Sequence, residues 1–280
     1  ALLTVLRRAP DPTDESPVTR SEVMFELSRI ALRQDEADRS KEILESAFAL
    51  ATENKVEARR LEASLRKAAD HLNLARALSS RLERGGAEDE AALRTELGLL
   101  FDQHLDRKDE ALEMILRAID LEPTNEAAHE AAFRLAASTR RLLNYEGRIR
   151  AIAEYTGTPA DLAGMLFARL AFIAETEHKD LTEAAGLYER AIASRPKDRE
   201  LISTLAAVYE RLGDDAAQAR ILGMRVDLDT EAGGASADAL YRLAQLRFRS
   251  GDVEAGCDAF EQAWESEPDQ ERAEGILKEA

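Results

Sequence analysis

The sequence has a single cysteine, Cys257, among 280 residues. One thiol can neither close an intramolecular disulfide nor build a thiolate metal cage. Disulfide scaffolds and zinc modules held by several cysteines are therefore excluded. The shortage of cysteine also favours a reducing compartment. We expect a cytoplasmic location and no structural metal.

Positive charge and long hydrophobic runs are also scarce. The 38 Lys and Arg residues are outnumbered by 55 Asp and Glu, which gives a net charge of −17, whereas nucleic-acid binding needs a clustered cationic surface. The most apolar stretch, residues 162–174, is interrupted by Arg169. It is shorter than the roughly 20 apolar residues that a membrane-spanning helix requires. Neither a nucleic-acid partner nor membrane insertion is expected.

Aromatic residues make up only 5% of the chain, although 45% of its residues are hydrophobic. The apolar fraction comes mainly from Ala and Leu, which are strong helix formers, and it is large enough for a globular protein. The composition therefore predicts an all-helical chain. Its richness in Ala and Arg is typical of a bacterial protein from a GC-rich genome.

Motifs for catalysis, cofactors and metals are missing as well. His129-Glu130 begins like the zinc-protease pattern H-E-x-x-H, but the fifth position is Phe133, so the second metal ligand is absent. The sequence contains no glycine-rich phosphate loop and no nucleophile motif. We expect a chain that is not an enzyme and that binds no cofactor and no metal. The other histidines, which fall in different parts of the pattern, are expected at helix ends or facing solvent: His71, His104 and His178.

The sequence does contain a repeat with a period near 36 residues. Pro123, Pro159, Pro196 and Pro268 mark this period, with one member replaced by two consecutive glycines near residue 232. Before Pro123 stands Ala111-x3-Ile115-x2-Ala118, and the same spacing precedes Pro196 and Pro268. Steps of four and three place such residues on one helical face, and the proline then ends the helix.

Upstream of each such helix lies another helix that ends in a short turn, at Gly213-Asp214 and at Gly251-Asp252. These features resemble the tetratricopeptide repeat family, whose pattern is W-x2-L-G-x2-Y, then A-x3-F, then P. The chain departs from that pattern, because no repeat has Trp at its first position and most repeats replace the Tyr that is kept at Tyr209.

The resemblance implies a right-handed α-solenoid of stacked antiparallel helix hairpins. The pattern predicts seven hairpins, with helices at 17–33 and 35–51, 54–69 and 71–84, 89–105 and 108–121, 125–139 and 142–155, 160–177 and 180–194, 198–212 and 215–229, and 236–250 and 253–266. One repeat domain is expected over 1–280, in which 1–16 is the tail of a preceding repeat plus a loop. The hairpins occupy 17–266, and 267–280 forms a capping helix or opens a further repeat. Because the chain starts within a repeat, we expect it to be a segment of a longer repeat protein.

The resemblance also implies where binding occurs, since a solenoid of this family leaves a concave groove lined by the first helix of each pair. Its groove-facing positions flank the Leu of that helix. Tyr241 and Phe248 are the preferred anchors, and alanine at both is expected to weaken partner capture without unfolding the chain. For Phe25 and Phe172, packing against a neighbouring hairpin is an equally good alternative. The candidate groove residues are Phe25, Arg29, Leu99, Gln103, Phe172, Tyr241, Gln245, Phe248 and Arg249.

The predicted function is a non-catalytic scaffold that binds a protein or peptide segment in this groove. The Lys and Asn pair with which some family members clamp a terminal carboxylate is missing, so an apolar helix or extended segment is the expected ligand. One alternative is a regulatory or substrate-recruiting arm of a larger multidomain enzyme. Another is a self-assembly module, in which the open ends or the concave face pair with a second copy.

Overall fold

The computed structural model describes residues 12–13, 16–85, 89–266, 271 and 274–275. All regular structure in these residues is helical, which confirms the predicted all-α class. The predicted tail and loop at 1–16 lie mostly outside the described residues, and so does most of the helix predicted at 267–280. Both assignments stay predictions.

The described residues form fourteen α-helices, which follow one another as seven pairs. Odd-numbered helices are the first of each pair and even-numbered helices the second. They are α1 (Arg20–Arg33), α2 (Ala37–Glu53), α3 (Lys55–Lys67), α4 (His71–Arg84), α5 (Glu90–Gln103), α6 (Lys108–Leu121), α7 (Glu126–Ser138), α8 (Leu142–Glu154), α9 (Ala160–Ile173), α10 (Leu181–Ser194), α11 (Arg199–Leu212), α12 (Asp215–Glu231), α13 (Ala237–Arg249) and α14 (Val253–Ser266). The predicted boundaries agree to within a few residues, except that the helix predicted to run to 177 changes to a π-helical turn over Ala174–His178.

Polar side chains fix where several helices begin. Thr19 and Glu22 form a reciprocal capping box at the start of α1. Asp70, Asp180 and Asp214 each accept a hydrogen bond from a first-turn backbone N–H of α4, α10 and α12. These side chains satisfy amide groups that have no carbonyl partner inside the helix. The chain is thereby forced to leave the preceding turn and to start a helix at these positions.

Every turn between the two helices of a pair contains one residue with positive φ. Two of these residues are Gly213 and Gly251, for which the left-handed region carries no side-chain penalty. In the other five pairs the conformation is adopted by residues with a Cβ atom, at a cost that the packing of the hairpin must offset. Those residues are Asp35, Ala69, Asp106, Arg140 and Lys179.

The helices form two compact units, residues 1–145 and 146–280. In the first unit α1 packs against both α2 and α3, and α7 packs against α5 and α6. In the second unit α13 packs against both α12 and α14. Each of these three first helices therefore buries more than one face, since it contacts two other helices. The single repeat domain over 1–280 stays a prediction.

His129 lies in the core of the first unit and has no exposed surface. Its Nε2 is 2.9 Å from the carbonyl oxygen of Pro123, and its Nδ1 is 2.9 Å from the hydroxyl of Tyr145. Because a carbonyl can only accept, Nε2 donates to it, and in a neutral imidazole Nδ1 then accepts from the Tyr145 hydroxyl. His129 is a hydrogen-bonded core residue that ties α7 to α8, as expected from the missing second zinc ligand.

None of the helices formed by the described residues is long and apolar enough to cross a membrane.

Candidate functional site

A cleft of about 390 Å³ opens between α5 and the start of α7 in the first unit. We call it the α5–α7 cleft. Its apolar lining includes Leu99 and Leu100 of α5 and Ala127 of α7. The remaining lining residues are Ala92, Thr95, Glu96, Gln103, His104 and Asn125. An apolar surface with a few polar groups around it is the usual make-up of a ligand site.

Two of the predicted groove residues, Leu99 and Gln103, line this cleft. Two further lining residues were not predicted from the sequence as members of a binding site. They are His104 at the end of α5 and Asn125 just before α7. Their contribution depends on how α7 is placed against α5, and no spacing within one helix signals it. Asn125 also caps α7, because its Oδ1 accepts a hydrogen bond from the backbone N–H of Ala128.

The cleft ends at a pair of stacked imidazole rings. His104 at the end of α5 lies parallel to His71 at the start of α4, with ring centroids 3.6 Å apart and planes 2° from parallel. Both residues lie at helix ends, as predicted. In the described residues, no group of three or more His, Cys, Asp or Glu side chains is placed to hold a metal ion.

Behind the cleft, a row of charged side chains connects Glu96 with the interior. Arg66 donates two hydrogen bonds to Glu96, at 2.6 and 2.8 Å, and its Nη2 lies 3.6 Å from Oε2 of Glu62. Arg81 donates to the same Glu62 oxygen at 2.9 Å and to both oxygens of Asp89 at 2.6 and 2.7 Å. We call these five residues, Asp89, Arg81, Glu62, Arg66 and Glu96, the charge relay.

Glu62 is the buried centre of the charge relay, with a side chain that is only 2% exposed. Among the described residues, its Oε1 is buried without a hydrogen-bond partner. Glu62 also lines a small cavity together with Ser80 and Arg84. Burial raises the pKa of the Glu62 carboxyl, and this effect outweighs the opposing influence of Arg81 and Arg66. The negative charge of Glu96 adds to the increase. An ionised Glu62 therefore carries a cost in the folded state.

We expect Glu62→Gln to raise the free energy of unfolding at neutral pH, since an amide can accept from Arg81 without a buried charge. A raised pKa means that the stabilising contribution of protonated Glu62 is fully present below its ordinary value of 4.5 and is lost as the pH rises through the folded-state pKa. The gain of the variant over the wild type should thus shrink on acidification. Urea titrations of both proteins between pH 4.5 and neutral pH measure this difference in the free energy of unfolding. A variant that is less stable than the wild type at neutral pH would contradict the prediction.

The structure corrects the prediction that Phe25 and Tyr241 are exposed in a groove. Phe25 is 2% exposed and Tyr241 is 1% exposed. Tyr241 packs edge-on against Phe260 of α14, with ring centroids 5.8 Å apart, in a core that includes Val226 of α12. Both aromatic rings are buried because α1 and α13 each pack against two neighbouring helices. For Phe25, packing against a neighbouring hairpin was an equally good alternative from the sequence.

Phe248 also packs against another helix of the chain, so its ring is not free to anchor a ligand. It is half-buried, and its ring lies over Gly256 of α14, where an added Cβ would come within 2.8 Å of the ring. Gly256 occupies the first position of the repeated spacing that precedes Pro268, and its lack of a side chain leaves room for this ring. The preferred anchors, Tyr241 and Phe248, thus both hold the last described hairpin together.

The other candidates are more accessible. Phe172 on α9 is 49% exposed, and Arg249 at the end of α13 is exposed. Gln245 is half-buried, and so is Arg29, which forms an ion pair with Glu26 at 3.0 Å. Their part in binding stays a prediction.

Acidic side chains near the ends of first helices are paired with arginines from the next first helix. Asp102 accepts from Arg134 at 2.6 Å in the first unit. In the second unit Glu210 pairs with Arg242 at 2.8 Å, and Glu175 pairs with Arg211. These carboxylates are therefore neutralised within the chain.

Residues 238–269 match a family model described as tetratricopeptide repeat. This segment includes α13 and α14. None of the curated protein sequences with which the chain was compared matches it.

Several solved structures, two of which are described as tetratricopeptide repeat proteins, are similar to this chain at low sequence identity. The C-terminal part of a repeat protein from Cytophaga hutchinsonii is 12% identical, with 90% of this chain and 99% of that chain covered and a TM-score of 0.42. A tetratricopeptide repeat protein from Parabacteroides merdae is 17% identical, with 92% and 98% covered and a TM-score of 0.34. PilF from Pseudomonas aeruginosa is 13% identical, with 84% and 99% covered and a TM-score of 0.39.

Residues 238–269 are thus similar to a tetratricopeptide repeat, and the described residues form seven consecutive helix pairs.

Proposed function

We propose that the chain is a non-catalytic scaffold that binds a protein or peptide segment in the α5–α7 cleft. The observation that carries this proposal is the cleft itself, which lies along a first helix and is lined by Leu99 and Gln103. Repeat proteins of this family generally serve as scaffolds for protein partners. The missing catalytic motifs in the sequence support the same conclusion.

The lining of the cleft indicates how a segment would be held. A single aliphatic side chain can be buried against Leu99, Leu100 and Ala92, which removes apolar surface from water. The exposed amide of Gln103 stands at the edge of this surface and can both donate to and accept from the backbone of the ligand. An extended segment with one apolar anchor fits these features. Roles as an arm of a larger enzyme or in self-assembly, and the cytoplasmic location, stay predictions.

We expect Leu99→Asp to weaken the binding of selected peptides at least tenfold, because a charge then replaces the apolar anchor surface. The peptides are obtained by selecting a random peptide library on the immobilised full chain, and their affinities are measured by fluorescence anisotropy. Leu143→Asp is the matched control, since Leu143 on α8 is 74% exposed and does not line the cleft.

Circular dichroism of both variants establishes that they are folded. Gln103→Ala offers a second test that leaves the apolar surface intact, and it should reduce affinity to a smaller extent. Equal binding by the wild type and by Leu99→Asp, with both folded, would place binding outside the cleft and overturn the proposal.

A further inference from the structure

The two oxygens of the buried Glu62 carboxyl group differ in their hydrogen bonding. Oε2 accepts a hydrogen bond from Arg81 at 2.9 Å and lies 3.6 Å from Nη2 of Arg66. Among the described residues, Oε1 is buried without a hydrogen-bond partner, and the whole side chain is only 2% exposed. A buried polar atom without a partner bears the full cost of its lost hydration. Nearly all such atoms in native proteins are therefore paired, either with protein or with an ordered water.

Glu62 also lines a small cavity where α2, α3 and α4 meet. The volume of this cavity is about 10 Å³, which is about the space that one water molecule requires. Its polar lining residues besides Glu62 are Thr52 of α2 and Ser80 and Arg84 of α4. The apolar lining residues are Phe48, Ala51, Ala58 and Ala77.

The polar side chains around the cavity offer both donors and acceptors. Thr52 donates its hydroxyl hydrogen to the carbonyl oxygen of Phe48 at 2.9 Å, and its own oxygen can still accept. Arg84 is held in place because its Nη1 donates to the carbonyl oxygens of Ala51 and Thr52 at 2.8 and 2.9 Å. Ser80 is half-buried, and its hydroxyl can donate or accept. A buried water makes about two to four hydrogen bonds, and this lining can supply them.

We propose that this cavity is the binding site of one ordered water molecule, which bridges Oε1 of Glu62 on α3 and the hydroxyl of Ser80 on α4. The water provides the hydrogen bond that Oε1 does not receive from the protein, and it joins the two helices of the second pair. The site lies apart from the α5–α7 cleft, so the inference does not depend on the proposed function.

The size and the charges of the cavity favour water over other small ligands. A cation in it would meet the guanidinium group of Arg84, while Arg81 and Arg66 already pair with Glu62. An anion would meet the carboxyl group of Glu62. A water molecule is neutral, and it donates to a carboxylate but accepts from a protonated carboxyl. It therefore satisfies Oε1 in either protonation state of Glu62.

A crystal structure of the full chain tests the site directly. We expect density for a single water at about 2.7–3.2 Å from both Oε1 of Glu62 and Oγ of Ser80, the usual range for hydrogen bonds. In crystals of Ser80→Ala the water has one partner fewer, so its density should be weaker or absent. The density of the Glu62 side chain in the same crystals provides the reference.

Ser80→Ala and Ser79→Ala form a matched pair for measuring the contribution of the water in solution. Ser79 is the preceding residue of α4 and is also half-buried, but it does not line the cavity. Both variants replace serine by the same, better helix former. We expect the folding equilibrium constant of Ser80→Ala to be about fivefold below that of Ser79→Ala, the effect of one hydrogen bond. Urea denaturation of both full-length variants measures this ratio, which should be equal in sodium chloride and in choline chloride.

Three results would overturn the proposal. Wild-type crystals without a water in hydrogen-bonding distance of Oε1 would show that this oxygen is not satisfied by a bound water. Equal stability of Ser80→Ala and Ser79→Ala would show that Ser80 does not hold the water. A ratio that disappears when choline replaces sodium would identify a bound metal cation instead. The binding measurements on Leu99→Asp are independent of these results, so failure here leaves the proposed function standing.

Discussion

Replacement of Tyr241 by alanine should lower the free energy of unfolding by about 3–5 kcal/mol, the range for removal of a large aromatic ring from a core. Tyr241 is 1% exposed and contacts the ring of Phe260, and its neighbours in the core come from α12, α13 and α14. Alanine would leave a cavity that three helices would have to close by moving. Urea denaturation followed by circular dichroism measures the loss.

Phe172→Ala is the matched control for this prediction. Both residues were expected from the sequence to face a groove, yet Phe172 is 49% exposed, so its replacement removes less buried surface and should cost about 1 kcal/mol. Tyr241→Phe retains the ring and should cost less than Tyr241→Ala. A stability of Tyr241→Ala equal to that of Phe172→Ala would contradict the burial of Tyr241 and would restore it as a groove residue.

The second large effect is expected at Gly98, where α5 lies close against α6 in their hairpin. An added Cβ would lie 2.7 Å from Cγ1 of Ile115 and 3.1 Å from the backbone carbonyl oxygen of Ala111. Ile115 is fully buried and the carbonyl belongs to the helix backbone, so neither can move away cheaply. Gly98→Val should therefore reduce the free energy of unfolding by about 3 kcal/mol, the upper part of the usual range for overpacking.

Gly186→Val separates this packing effect from helix propensity. Gly186 is an exposed residue within α10, and an added Cβ would meet no atom within 4 Å. Valine there should be neutral or slightly stabilising, because it is a better helix former than glycine. If thermal melts showed equal changes for the two variants, close packing of α5 on α6 would not be the reason for glycine at position 98.

The helices and their pairing could be predicted well from the sequence because their signals are local. Pro123 and Pro196 lie between helices, as do Gly213 and Gly251, because proline cannot continue a helix and glycine favours a turn there. The apolar residues recur with the helical period. The helices predicted at 71–84 and 108–121 begin and end where α4 and α6 do. The prediction was wrong at Ala174–His178, because the last turn of the α-helix predicted there is π-helical. No proline or glycine marks this change in the sequence.

The turns between paired helices show which features can be predicted from the local sequence and which cannot. Gly213 and Gly251 identify two hairpin turns from the sequence, since glycine adopts positive φ without a steric penalty. Ala69, Arg140 and Lys179 adopt the same conformation in equivalent turns, although nothing in these residue types favours it. There the packing of the two helices holds the backbone in a conformation that the residue itself disfavours.

The sequence by itself determined the class, the helix pairs, their small contact residues and the resemblance to the tetratricopeptide repeat family, because each depends on residues near in the chain. Only the tertiary structure decided which side of each first helix is covered. Tyr241 and Leu99 are both predicted from the sequence to face a groove, yet Tyr241 is buried between two neighbouring helices and Leu99 lines a cleft. The difference arises from how the adjacent helices pack against the first helix, and that arrangement is the sum of many contacts between residues far apart in sequence.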